Sequence, residues 1–227
     1  MPRPPGPSEP ARGSALDAVT VVALSDTHMR HRELVVPPCE LLVHAGDFSR
    51  RGTSAETREF IAWMASQPAR EKVLVAGNHD RFAELEPERL RELTVRSGIR
   101  YLFDEEVTLL GLRIWGSPVT PAFRSMAFNR ERGAAIRRHW DAIPAGLDLL
   151  VTHGPPQGIG DRAFFGAHVG CEALMDAVRQ RPPRAHVFGH IHEAAGEYRD
   201  AGLPTRFLNV AIARWLGGTR PAVTFTL

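Results

Sequence analysis

Val19-Thr20-Val21-Val22-Ala23-Leu24-Ser25-Asp26-Thr27-His28 decides how this chain is read. A short apolar run, of the kind found in strands covered on both faces, breaks off at once into a carboxylate and an imidazole. The pattern then returns. Residues 40–45 lead into Gly46-Asp47, residues 72–76 into Gly77-Asn78-His79-Asp80, residues 148–152 into His153-Gly154, and residues 185–188 into Gly189-His190-Ile191-His192. In α/β sheets functional groups gather beyond the carboxyl ends of strands, so residues distant in sequence can converge at one sheet edge.

Further strands are expected at residues 107–115, 206–210 and 222–227, and helices at residues 54–67, 84–96, 131–143 and 171–180. The first helix opens on Ser and Thr and sets Phe60, Ile61 and Met64 on one stripe before Pro68 stops it. The last carries Leu174, Met175 and Val178 on one side and ends at Pro182-Pro183. Strands alternating with helices, without an internal repeat, give one α/β domain over residues 18–227, a layered sheet with helices outside. Residues 1–17 hold five prolines and no apolar core, and read as a flexible Pro/Gly-rich tail rather than a secretory signal.

With 227 residues, 43% hydrophobic and 24% charged, the chain can bury one sizeable core. A net charge of +2 argues against a stable nucleic-acid partner held by a basic field. Lys72 is the only lysine, so positive charge is carried by arginine. Cys39 and Cys171 form no disulfide framework and fit a reducing cytoplasm. No apolar run is long enough to span a membrane, so no membrane partner is expected.

Asp26 and His28 stand two apart, so an extended backbone points both to one side, where they can chelate one cation; His190 and His192 repeat that spacing. Asp47 has two carboxylate oxygens and is the candidate bridge between two cations, with a helix cap as its alternative role. Asn78 offers a neutral carbonyl oxygen to a cation or substrate, or else stabilises a turn after Gly77. His79 points elsewhere on such a backbone and suits proton donation to a departing alkoxide. His153 leaves its strand at a rigid Gly-Pro-Pro turn. His44 reads as a satisfied core group, and His139, His168 and His186 as structural or exposed; His31 is a candidate to line the pocket. Oxygen and nitrogen donors of this kind suit a pair of hard or borderline divalent cations, a standard device for phosphoryl chemistry.

In that order, D-x-H, G-D, G-N-H-D, a strand-end His and G-H-x-H, the chain resembles the calcineurin-like metallophosphoesterase superfamily over residues 21–210. The stretches around Leu42–Phe48, Gly116-Ser117-Pro118, Ala127-Phe128-Asn129, Val169-Gly170-Cys171 and His186–Gly189 are similar to its brain-type metallophosphoesterase-domain proteins, whose class resembles cyclic-nucleotide phosphodiesterases. Animal members can lack the first His of G-H-x-H, whereas His190 is present.

The resemblance implies a four-layer α/β/β/α sandwich with a dinuclear centre. One cation takes Asp26, His28, Asp47 and His192, and the other Asp47, Asn78, His153 and His190. Asn78 and His79 meet the substrate, and His79 is the general acid. The cations could be Mn, Fe, Zn, Ni or Co, with Mn favoured. The implied function is phosphodiester hydrolysis by a metal-bridging hydroxide, on a small phosphoester such as a cyclic nucleotide. A phosphomonoesterase or nuclease with the same centre is the alternative, and a nucleotide-binding scaffold without turnover is disfavoured by the full ligand set. Arg50 stands where protein Ser/Thr phosphatases carry an Asp that orients the catalytic His, which argues against that class and leaves Asp80 as a candidate orienter.

Overall fold

The computed structural model describes residues 18–214 and 217–227; the tail expected over residues 1–17 lies outside them. In chain order the first strands are β1 (Thr20–Leu24), β2 (Cys39–Ala45), β3 (Ala69–Val75) and β4 (Arg100–Tyr101). There follow β5 (Glu105–Leu109), β6 (Leu112–Ser117), β7 (Thr120–Pro121), β8 (Asn129–Arg130) and β9 (Leu149–Thr152). The last are β10 (Ala185–Phe188), β11 (Gly196–Arg199), β12 (Arg206–Asn209) and β13 (Val223–Thr226). The helices are α1 (Ser54–Ala65), α2 (Arg81–Leu85), α3 (Pro87–Arg96), α4 (Ala134–Asp141) and α5 (Glu172–Gln180).

Two sheets carry the fold, one in the order β13-β1-β2-β3-β4 and the other β11-β12-β10-β9-β6-β5; β7 and β8 form a separate pair. The strands that end at the motifs run parallel within each sheet, β1 with β2 and β3, β9 with β10. Alternation along the strands explains the stacking. Val21, Ala23, Val43 and Val75 of one sheet meet Ile114, Val151, Val187 and Leu208 of the other in the central core. Val22, Leu24, Leu42 and Leu74 turn the other way, beneath Phe60 and Met64 of α1 and Leu90 of α3. Leu150, Phe188 and Phe207 are likewise covered by Trp140 of α4 and Leu174 of α5. Four layers, α/β/β/α, result.

Helix α1 also serves the site. Its start is fixed by a capping box, in which Thr53 Oγ1 accepts from the Glu56 N–H and the Glu56 carboxylate accepts from the Thr53 N–H. Its Phe60 ring stacks on Phe48 at 4.7 Å, immediately after Asp47. Full burial of such a ring stabilises by roughly 1.5–3 kcal/mol and pins the chain where Asp47 leaves β2.

Three expectations change. Residues 107–115 are a hairpin rather than one strand, because Leu110 (φ 54°) and Gly111 (φ 77°) reverse the chain between β5 and β6. The helix expected over residues 84–96 is two, separated at Glu86 because Pro87 takes the first position of α3. The helix expected over residues 131–143 shortens to α4, which starts after Gly133.

Candidate metal centre

All five motifs converge at the carboxyl ends of β1, β2, β3, β9 and β10. Backbone hydrogen bonds continue past the strand ends: Asp26 N–H donates to Gly46 O (2.8 Å), His28 N–H to Asp47 O (3.0 Å) and Gly189 N–H to His153 O (2.9 Å). The two sheets join here through Ser25, whose N–H donates to Val210 O and whose carbonyl accepts from Ile212 N–H. Asp26, His28, Asp47 and His190 all have left-handed backbones, with φ of 55°, 42°, 57° and 68°. Such conformations are costly for residues with a Cβ and persist where the surroundings hold them, often at functional sites. Glycines give the required proximity: a Cβ on Gly77 would lie 2.3 Å from Asp47 Oδ1, and one on Gly189 would lie 2.2 Å from Asp26 Oδ2.

Each carboxylate has one oxygen held and one aimed. Asp26 Oδ2 accepts from the Ser25 hydroxyl and from His190 N–H at 3.0 Å, while Oδ1 faces His192 Nε2 at 3.1 Å. Asp47 Oδ1 accepts from His79 N–H at 2.8 Å, while Oδ2 lies 3.4 Å from His153 Nε2 and 3.9 Å from His28 Nε2. One oxygen of Asp47 therefore sits between the two groups of donors. Two of the histidines are arranged alike: Nδ1 of His28 lies 3.2 Å from Ser49 O, and Nδ1 of His153 lies 2.9 Å from Ala45 O. A carbonyl can only accept, so Nδ1 carries a hydrogen and Nε2 is the atom turned inward, the one a metal ligand would present.

The inward atoms fall into two clusters, Asp26/His28/His192 and Asp47/His153/His190, with donors inside each within 4.8 Å of one another. His28 and His192 bring their Nε2 atoms to 3.3 Å, and Asn78 Oδ1 lies 2.9 Å from His153 Nε2. Two donors bonded to one cation at ~2.0–2.2 Å stand roughly 3–3.5 Å apart, so these separations fit cation-sized gaps. A third grouping, His28/Asp47/His79, places His79 beside the first cluster, its ring edge-on to His28 at 4.8 Å.

Burial alone would raise the Asp26 carboxyl, but the hydrogen bond and charge of His192, with His153 and His28, hold it below the usual carboxylate range. Asp47 is likewise held low, against burial, by His153 and His28. Burial would lower His153, yet the charge and hydrogen bond of Asp47 push it up to about 9. His190 is pushed down to about 4, first by burial and then by His153. The negative oxygens thus stay ionised, and a proton on His153 Nε2 lies where a cation would replace it.

A family model described as calcineurin-like phosphoesterase matches residues 19–194. The chain belongs to the calcineurin-like phosphoesterase family. Human metallophosphoesterase domain-containing protein 1 is 37% identical over 214 residues, covering 84% of this chain; the match spans 65% of the human protein's length. A UPF0046 protein of Caenorhabditis elegans is 34% identical over 230 residues, covering 90% of this chain and 81% of its own. Among solved structures, phosphopantetheinyl hydrolase from Mycobacterium tuberculosis shares the fold with a TM-score of 0.63 at 16% identity, over 87% of this chain and 90% of its own. Calcineurin-like phosphoesterases work with two divalent cations, and the paired Asp/His clusters are a donor set suited to them.

Within this family frame, Asp80 has a role the sequence did not reveal. Its carboxylate accepts from the N–H groups of Gly77 (2.7 Å), Asp47 (2.9 Å) and Ser49 (2.9 Å), from Phe48 N–H more weakly, and from Ser49 Oγ (2.6 Å). It ties the loop bearing Asp47 to the loop bearing Asn78. The expectation that Asp80 orients His79 fails, because His79 Nδ1 lies instead 3.2 Å from the Arg50 carbonyl. Burial, then the charge of Asp47, push the Asp80 carboxyl up to about 7, while the surrounding donors pull it down.

Other histidines keep away from the clusters. His31 is buried against Phe60 and Trp63, away from the residues that bound the cleft over the first cluster. His44 meets Thr27 Oγ1 and His186 meets Thr152 Oγ1, each just behind a strand end. His139 pairs with Asp104 and His168 with Asp161. Phe128 is core, packed edge-on against Phe103.

Proposed function

We propose that this chain is a dimetal phosphodiesterase acting on a small phosphoester, with a nucleotide as the favoured class. The position of Asp47 Oδ2 between His28 and His153 supports it most directly. On this reading Asp26, His28, Asp47 and His192 hold one cation, and Asp47, Asn78, His153 and His190 the other, with Mn favoured. When bound, such a pair neutralises phosphate oxygens and makes a nucleophilic water available near neutral pH. The chain's own residues supply orientation and a proton.

An open cleft of about 610 Å³ over the first cluster is bounded by His28, His79 and His192, with Arg30, Arg50 and Arg214 around it. Arg30 is paired with Glu33, which leaves the guanidinium groups of Arg50 and Arg214 at that rim to attract an anionic ester. His79, whose Nδ1 faces the Arg50 carbonyl, presents Nε2 as the proton donor to a departing alkoxide. The same arginines also suit the greater charge of a phosphomonoester, which keeps a monoesterase as the second reading. Two free thiols agree with a cytoplasmic setting, and no helix among the described residues is long and apolar enough to cross a membrane.

Asp47→Ala should lose bound metal and most turnover together. His79→Ala should keep its metal while hydrolysis of a poor-leaving-group diester falls about 10²–10⁴-fold, and p-nitrophenyl esters are spared. Equal rates for wild type and His79→Ala on the poor leaving group would remove the acid role.

A further inference from the structure

Beside the second cluster, at His190, lies a different space. A cavity of about 490 Å³ is walled by Pro121, Ala122, Phe123, Pro155, Phe165 and Val169, with His190 at its inner end. Of the residues around it, only Arg132 and His190 carry polar side chains. Arg132 is already committed to the carbonyls of Val169 and Gly170 and to the Glu172 carboxylate. The walls therefore offer burial and shape rather than hydrogen bonds.

Both walls are built. Ala122 N–H donates to Arg130 O, and the Asn129 amide donates to the carbonyls of Phe123 and Arg124, which fixes the Phe123 turn. Opposite, buried Asp161 accepts from Gly158 N–H (2.9 Å) and Gly170 N–H (3.1 Å) and meets His168 Nδ1 at 2.7 Å. Ala163 N–H donates to Ala167 O, closing the small loop that carries Phe165. Two aromatic rings, Phe123 at 58% and Phe165 at 93% exposure, stand at the mouth of this space. Exposed aromatics rimming an apolar cavity beside a reactive centre are an arrangement that suits ligand binding.

We propose, on the reading that this chain is a phosphodiesterase, that this cavity seats the retained substituent of the ester and selects an aromatic or alkyl group there. His79 lines the arginine-rimmed cleft and His190 the apolar cavity, so each of the two ester arms has its own space. Hydroxide bonds to phosphorus, and the bond from phosphorus to the alkoxide on the arginine side breaks with its electron pair. His79 gives that alkoxide its proton. The other ester bond is untouched, and the product is a monoester whose apolar group still occupies the cavity.

The test is calorimetric binding of benzylphosphonate and methylphosphonate, non-hydrolysable mimics of that product, to the Mn-loaded full chain. Benzylphosphonate should bind about tenfold tighter, the factor expected from partly burying a phenyl group. In the Phe123→Ser/Phe165→Ser double variant the advantage should shrink to about twofold or less, with methylphosphonate affinity unchanged. Both rings face solvent, so the variant should melt like wild type. Equal affinities in wild type, or an advantage that survives the double substitution, would overturn the subsite alone. Failure of both phosphonates to bind would overturn it together with the phosphodiesterase reading.

Discussion

Asp80→Asn should destabilise this protein far more than the loss of one charge suggests. In the native carboxylate, Oδ2 takes the N–H groups of Gly77 and Asp47, and Oδ1 takes the N–H and hydroxyl of Ser49. An amide has one acceptor oxygen. Its better orientation keeps Gly77 and Asp47 and turns the NH₂ toward Ser49, whose hydroxyl can rotate to accept but whose N–H cannot. One buried donor stranded against another donor costs about 1–3 kcal/mol. At roughly 2–4 °C per kcal/mol for a chain of this size, the midpoint should fall by about 2–12 °C. Thermal melts of chelator-treated protein by circular dichroism at about pH 8.5, above the value near 7 to which burial and Asp47 push Asp80, read this directly, and a Mn titration should show weakened binding because both loops are released. With Mn in excess, activity should stay within about tenfold of wild type, since Asp80 does not touch His79. A melt within about 2 °C of wild type, combined with the activity loss of His79→Ala, would refute the reasoning and return Asp80 to the role of orienter.

Gly77→Ala places a Cβ 2.3 Å from Asp47 Oδ1 and 2.4 Å from its nitrogen, so the Asp47 carboxylate must move by about 1 Å. A displacement of that size costs about 10²-fold in kcat/KM, and an unaltered value on a chromogenic diester would contradict the close packing. Burial would lower His153, but Asp47 holds it at about 9, so its imidazolium stabilises the metal-free fold fully below the unfolded value near 6.5. That stability is lost as pH rises through 9; melts of chelated protein should therefore decline from pH 7 to about 9.5, and Mn should abolish the decline. A flat profile without metal would count against the Asp47–His153 pairing. Thr53→Ala removes the capping box of α1 at a cost of about 1 kcal/mol, seen as a drop of a few degrees in the melt with metal content unchanged; loss of metal would mean that the cap acts on the site.

Much of the centre was legible because strand-end position and residue type coincide in it. Asp26, His28, Asp47, His153, His190 and His192 each follow an apolar run closely, and parallel strands deliver such ends to one edge. What escaped was settled by contacts across the chain. Asp80 reads as a candidate orienter of His79, and only the fold shows four backbone N–H groups from two loops aimed at it. His31 sits near the first motif in sequence, yet its ring packs beneath α1. The β5–β6 reversal was hidden because Leu110 extends an apolar run while adopting a left-handed turn conformation. The cavity wall had one available signal, Phe164-Phe165 adjacent in a glycine-bounded loop with no strand or helix period.

The first sheet is drawn from residues 20–101 and the closing strand β13, and the second from residues 105–209. Neither donor cluster belongs to one of them: Asp26 and His28 complete theirs with His192, and Asp47 completes its own with His153 and His190. A cation in either position would thus act as a latch across the seam between two successive lengths of chain. Opened at the short link between β4 and β5, the protein would yield two pieces, each with part of both donor clusters. Their reassembly would then depend on divalent metal as much as on the apolar faces they share.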